Sequence, residues 1–312
     1  MKNRTLAAIT ITSLAVLGSA AIAFSILSHS SSSSKSSHEA QTYLSADPKQ
    51  IQNAALNDEE AQTYLSVYPK QIQNAVLNDE YEKDLSKKMR KESDVIFKNL
   101  SNIEKEAIKN YTGSNSVSSY LHGFNFGEEL NKTYANYANL ISNLISKNSL
   151  KEDIRLYRGS SVECLNDLIS NDGIIDAFLN ANSEQDVNHI VSSLNEKFFI
   201  IRNRFTSTST SFWKAARFVH CNNKERFRDS KNGVGVFFMI TAKKGVNYLP
   251  LMHHSLCYRE NEVLLDRNVK LKIKSAMFKI ERDPDKMIFI GREKVLFLEC
   301  ETVATSKQIC SF

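Results

Sequence analysis

Val234-Gly235-Val236-Phe237-Phe238-Met239-Ile240-Thr241 is an uncharged run of β-branched and aromatic residues that reads as a buried strand. Gly245 closes it after Lys243-Lys244. Working outward from it, further short β-rich runs recur from Asp153 onward: Ile154–Tyr157, Phe198–Ile201, Val246–Leu251, Glu262–Leu265, Val269–Ile273 and Val295–Glu299. Helical stretches at about Cys164–Asn180 and Phe212–His220 interrupt them. Upstream, from about Glu82 to Lys147, the signals are helical. Asp84–Asn110 is charged and periodic, Tyr111-Thr112-Gly113 stops it, and Gly127–Ser146 resumes with Leu130, Tyr134, Tyr137, Leu140, Ile141 and Leu144 at helical spacing. Helices first and strands later predict an α+β domain, a helical N-terminal part followed by a mainly antiparallel β-sheet or sandwich. Strands and helices do not alternate, which excludes a doubly wound parallel sheet.

The composition agrees with a folded chain. Of 312 residues, 42% are hydrophobic and 24% charged, which excludes wholesale disorder and a multi-span membrane protein. Forty Lys and Arg against 35 Asp and Glu leave a surplus too small to argue for nucleic acid. Five Cys (164, 221, 257, 300, 310), with no C-x-x-C pair, make neither a zinc framework nor a dense disulfide scaffold.

Residues 1–27 stand apart. Lys2 and Arg4 precede an uncharged run, Thr5–Leu27, long enough as a helix to cross the ~30 Å hydrocarbon core. Ala21 and Ala23 give the same run the small-residue spacing of a signal-peptide cleavage site. Signal peptide and retained membrane anchor are both open, and a secreted or membrane-anchored protein is expected from either. Residues 28–38 are Ser-dominated and read as a flexible linker. Residues 39–80 are a tandem 21-residue repeat: Glu39–Glu59 recurs as Glu60–Glu80 with changes only at Ala46/Val67, Asp47/Tyr68 and Ala55/Val76. Two copies are too few for a solenoid, so the unit reads as a stalk or spacer, with partner binding as an alternative. Residues 81–312 remain for one globular domain.

Several motifs are set aside. GVGVFF lacks the third Gly or Lys-Ser/Thr that a nucleotide fingerprint needs. His253-His254 near Cys257 suggests a metal, but adjacent side chains diverge on a regular element and no ligand cluster is evident, so no metal is expected. Lys87, Lys88, Arg90 and Lys91 read as a solvated helix face, with membrane-surface contact as the alternative.

Three separated segments carry chemistry. Leu156-Tyr157-Arg158-Gly159-Ser160 places an Arg at a strand end. Phe205-Thr206-Ser207-Thr208-Ser209 is strand-like and followed by Phe212 and a helix. Tyr258-Arg259-Glu260-Asn261-Glu262-Val263 places two acids in E-x-E spacing at a strand entry, where alternate residues share a face. Each alone is commonly a surface feature. The order Arg, Ser-Thr-Ser, Glu-x-Glu at spacings of about 50 residues is specific.

In that order the chain resembles the R-S-E class of mono-ADP-ribosyltransferases, the arginine-type, cholera- and iota-toxin-like toxins and effectors. The likeness takes in Ile103–Gly113, similar to the helix and turn opening the toxin domain, and GVFFMITAKKG at Gly235–Gly245. It spans roughly Asp84 to Val303. Arg259 and the charged insert KERFRDSK within 212–232 depart from the pattern.

The resemblance implies an ADP-ribosyltransferase fold and an enzyme with NAD as co-substrate and no metal. It would transfer ADP-ribose to a target protein, arginine favoured, in a host or competitor cell, and would not use nucleic acid. It implies that Glu262 bonds a ribose hydroxyl and stabilises the oxocarbenium-like transition state, and that Glu260 activates the acceptor. Arg158 would hold the pyrophosphate with Gly159 beside it, Ser207 would orient Glu262, and Phe212 would stack on nicotinamide. An NAD glycohydrolase on the same fold and a non-catalytic binding module are the rivals.

Overall fold

The computed structural model describes residues 73, 79–113, 116–161, 164, 172–201, 203–220, 233–256, 260–280 and 294–303. The chain divides into two units, Met1–Ala55 and Leu56–Phe312, and all described residues belong to the second. The N-terminal apolar run, the Ser-rich linker, nearly all of the repeat, Cys257 to Arg259 and the KERFRDSK insert lie outside the described residues. Among the described residues no helix is long and apolar enough to cross a membrane.

Helices come first: α1 Asp79–Lys98, α2 Asn102–Thr112, α3 Ser116–Leu121 and α4 Glu128–Ser146. The single helix expected over Asp84–Asn110 is two. Ser101 caps α2 in a capping box: its hydroxyl accepts from the Glu104 amide while the Glu104 carboxylate accepts from the Ser101 amide at 2.8 Å. Those bonds satisfy orphan amides at a new helix start, so the chain turns although the periodicity continues.

Strands β1 Ile154–Ser161, β2 Phe198–Ile200, β3 Phe205–Ser209, β4 Val234–Ala242, β5 Tyr248–Pro250, β6 Glu262–Arg267, β7 Lys270–Ile280 and β8 Lys294–Thr302 form one sheet, ordered β2-β7-β8-β4-β1-β3-β6-β5. Every pairing is antiparallel except β4 with β8. Helices α5 Asp172–Asn180, α6 Asn188–Leu194 and α7 Phe212–Ala216, which runs on into a 3-10 turn over Arg217–His220, complete the domain. The architecture is the expected α+β arrangement.

The central strand β4 is buried along almost its whole length, because Val236, Phe238 and Ile240 face α5 and α6 while Phe237 and Met239 face α7. Helices α2 and α4 bury Ile108, Ile141 and Ile145 on Phe205, Leu249 and Leu264 of β3, β5 and β6. Helix α1 sets Leu85 and Met89 on Leu156, Val263 and Leu265. The sheet has one weak seam. Eight residue pairs join β1 to β4, but only Tyr157 with Ser209 joins β1 to β3. The two strands splay beyond that pair.

Candidate active site

A cleft of about 320 Å³ opens at the splay, lined among others by Arg158, Gly159, Ser207, Glu260 and Glu262. Its volume falls in the range of small-molecule sites. The three segments singled out from sequence therefore converge.

Strand β3 sets the geometry. Its even-numbered Thr206 and Thr208 point into the protein, and Thr208 Oγ1 donates to the Val263 carbonyl at 2.6 Å. Ser207 faces the other way, into the cleft. Its hydroxyl donates to Glu262 Oε1 at 2.6 Å, and Ser255 Oγ donates to Oε2 at 3.2 Å. Glu262 is only 5% exposed. Burial pushes its carboxyl pKa above the ordinary value, while the two serine hydroxyls and the Arg158 charge pull it back toward the ionised form.

Arg158 leaves β1 where the β1–β3 ladder has ended. Its Nη1 donates to the Ser207 carbonyl at 2.7 Å, a backbone acceptor that the splay would otherwise leave open. Its Nε is buried with no hydrogen-bond partner. An orphaned guanidinium N–H in a cleft is a donor suited to an anionic ligand. Gly159 also lines the cleft. A Cβ there would overlap backbone atoms of Ala215, Phe218 and Val219, so glycine is what lets α7 and its 3-10 extension lie against β1.

The two acids are not placed as strand alternation predicts. Only Glu262 belongs to β6; Glu260 precedes it, and Asn261 between them has φ 50°, in the left-handed region. The pair reaches one cleft through a turn rather than a shared strand face. Asn261 is buried and braced from α1: Arg90 Nη2 donates to its Oδ1 at 3.2 Å, and its Nδ2 donates to Ser86 Oγ at 3.2 Å. Ser86 in turn shares a 2.6 Å hydrogen bond with Thr210 Oγ1, and Ser209 Oγ donates to the Glu260 carbonyl at 2.6 Å.

Phe212 is a correction. It is fully buried against Tyr157 and Phe237, with ring centroids at 5.7 and 4.8 Å, so it has no face to offer a ligand. Its amide donates to Glu82 Oε1 at 3.0 Å, which ties the start of α7 to α1. Phe218, half-buried and six residues on, does line the cleft, together with Tyr111, Tyr157 and Phe205. Sequence reasoning also missed Ser255 and Asn261, whose contacts come from tertiary packing rather than a local motif.

The histidine pair is a second correction. Met252 has φ 49° and opens a 3-10 turn, and this backbone brings the Nε2 atoms of His253 and His254 to 2.9 and 3.0 Å from Asp94 Oδ1. Adjacent side chains diverge on a regular element, but the left-handed residue makes this turn irregular. His254 also stacks on Phe97 at 4.1 Å.

The chain is similar to known proteins. The family described as ADP-ribosyltransferase exoenzyme matches residues 78–294. No curated protein matches the chain by sequence. Among solved structures, the ADP-ribosylating toxin BECa of a binary enterotoxin of C. perfringens, with NADH, is 19% identical. It superposes with a TM-score of 0.52 over 70% of this chain and 48% of its own, so this chain spans about half its length. Plx2a, an ADP-ribosyltransferase toxin from Paenibacillus larvae, is 19% identical with a TM-score of 0.49, over 72% of this chain and 96% of that one. C3stau2 from S. aureus, with NAD, is 16% identical with a TM-score of 0.47, over 70% and 95%.

Proposed function

The chain belongs to the ADP-ribosyltransferase exoenzyme family, and from that premise we propose that it transfers a single ADP-ribose from NAD to an arginine side chain of a target protein, as a toxin or effector. The observation that carries the reading is the buried Glu262 carboxylate, held by Ser207 and Ser255 in the cleft that Arg158 borders.

NAD supplies the leaving group. The bond between ribose C1′ and the nicotinamide nitrogen breaks, and its electron pair leaves with nicotinamide. The ribose becomes oxocarbenium-like, as in glycoside hydrolysis. Glu262 bonds a ribose hydroxyl and stabilises the developing positive charge, a contribution of about 2.7–4 kcal/mol for a preorganised group of this kind. Ser207 and Ser255 fix its two oxygens, which favours the ionised form that the role requires. Arg158 directs its free Nε–H to the pyrophosphate. Phe218, rather than Phe212, offers a ring face to the nicotinamide side. A guanidino nitrogen of the acceptor then attacks C1′ and loses its proton to Glu260.

The test separates the two acids. Glu262→Gln keeps size but loses the charge, so nicotinamide release falls by about 10²–10³ with or without a protein acceptor. Glu260→Gln keeps that charge, so slow NAD hydrolysis persists while label on protein is lost. Equal loss of both activities in the two variants refutes the division of roles. Full activity of Glu262→Gln refutes the site.

A further inference from the structure

A second concavity, of about 460 Å³, lies on the far side of the Glu260–Asn261–Glu262 turn, between α1 and α7. Its walls are cationic. Lys83, Lys87, Arg90 and Lys91 stand at i, i+4, i+7 and i+8 on one face of α1, and Lys214 faces them from α7. The groove's two acids are already engaged. Glu82 accepts the Phe212 amide, and Asp94 is flanked by the two histidines, which hold its carboxyl below the ordinary range. Among the described residues, Lys87, Lys91 and Lys214 form no ion pair. Burial and then the charges of Arg90 and Arg217 pull the Lys214 ammonium below its usual pKa. Like charges are thus gathered against their mutual repulsion, an arrangement that an anionic partner relieves.

The cations are strung along the helix rather than converging on a point. From Lys83 to Lys91 the rise is about 12 Å, the span of roughly four residues of an extended chain. That shape suits a polyanionic segment better than a single phosphate. Asn261 lines this groove while its neighbours Glu260 and Glu262 line the cleft, so the two concavities share one wall.

We propose that the groove between α1 and α7 docks an acidic segment of the acceptor protein and thereby delivers the neighbouring acceptor side chain to Glu260. The proposal rests on the transferase reading above.

The test uses the full chain and the double substitution Lys87→Glu with Lys91→Glu. Both side chains are exposed and neither belongs to the cleft. Three activities are followed: nicotinamide release from NAD alone, transfer to agmatine as a small guanidino acceptor, and transfer of label from NAD to proteins of an animal-cell lysate. Nicotinamide release and agmatine transfer stay at the wild-type level, while protein labelling falls about tenfold, the scale of lost electrostatic steering. Poly-L-glutamate suppresses protein labelling by the wild type without slowing its NAD hydrolysis. Lysate labelling equal to wild type, with hydrolysis intact, overturns the proposal and leaves the transferase reading standing. So does a variant that loses binding to phosphatidylserine vesicles but labels protein normally, since the stripe then faces a membrane. Absence of NAD turnover in the wild type defeats the transferase reading and the proposal with it. If charge reversal unfolds α1, as a thermal melt would reveal, the Lys87→Ala, Lys91→Ala pair answers the same question in the same direction.

Discussion

Two hydroxyls hold Glu262, and their unequal distances make a quantitative test. Ser207→Ala removes the 2.6 Å bond to Oε1 and leaves the backbone carbonyl that accepts from Arg158. A hydrogen bond to a charged group is worth about 1.5–3 kcal/mol, which converts to a loss of roughly 10- to 150-fold in kcat/KM for nicotinamide release. Ser255→Ala removes a 3.2 Å bond, longer than the usual O–H···O range. An ordinary net value of about 0.5–1.5 kcal/mol gives a loss of roughly 2- to 10-fold.

The pH profile separates a positioning role from a merely structural one. A hydroxyl donating to a carboxylate favours the ionised form, so its loss raises a pKa that burial has already raised. The acid limb of kcat/KM then moves to higher pH, and part of the lost activity returns as the pH is increased. Nicotinamide release from NAD without protein acceptor, followed across the acid limb in wild type and both variants, reads this directly. A larger loss in Ser255→Ala than in Ser207→Ala, or an acid limb that stays in place in Ser207→Ala, refutes the assignment of these bonds to Glu262.

Three further outcomes are expected. Arg158→Lys keeps the charge but loses the planar fork, so NAD affinity drops about tenfold by calorimetry; unchanged affinity in the folded variant removes the pyrophosphate role. Gly159→Ala forces a Cβ into backbone of the α7 segment and costs about 1–3 kcal/mol in denaturant unfolding, a loss that would be absent if that segment were free to move. The Glu262 carboxyl is raised in the folded state, so wild-type stability declines as pH rises from the unfolded-state pKa through the folded one. Glu262→Gln escapes that decline, so its melting temperature exceeds the wild-type value at neutral pH and the gap closes in acid; a gap of constant size across this range contradicts the burial argument.

The strands were legible because sheet burial leaves a local mark. Val234–Thr241 is apolar on both faces, and the structure extends it by only one residue. The break at Asn99–Ser101 escaped the sequence reading: Ser101 and Glu104 stand at capping-box spacing, but the continuing helical period masks them. Phe212 and Phe218 show what local pattern cannot decide. Both follow the Ser-Thr-Ser strand on one short helical stretch, and only the direction in which α7 leaves β3 turns one ring into the core and the other to the cleft. His253 and His254 converge for a similar reason, because the left-handed backbone of Met252 has no signature in the sequence.

Backbone hydrogen bonding locates the cleft. In a continuous antiparallel ladder the Ser207 carbonyl would be satisfied by a neighbouring strand, and no cleft would form. Here β1 and β3 share one residue pair, and the Arg158 guanidinium bridges the gap by donating to that carbonyl. The splay both makes room for a ligand and orients the cation that borders it. On the opposite wall, left-handed Asn261 turns Glu260 and Glu262 toward one space, a conformation uncommon enough for a non-glycine residue to need support. Helix α1 gives that support through Ser86 and Arg90. Arg90 therefore has two contacts that matter: it holds Asn261 and forms part of the cationic stripe. An acceptor segment that drew Arg90 away from Asn261 would disturb the turn it needs. For this reason the outward-facing Lys87 and Lys91, rather than Arg90, are the positions at which charge can be reversed without touching the acids.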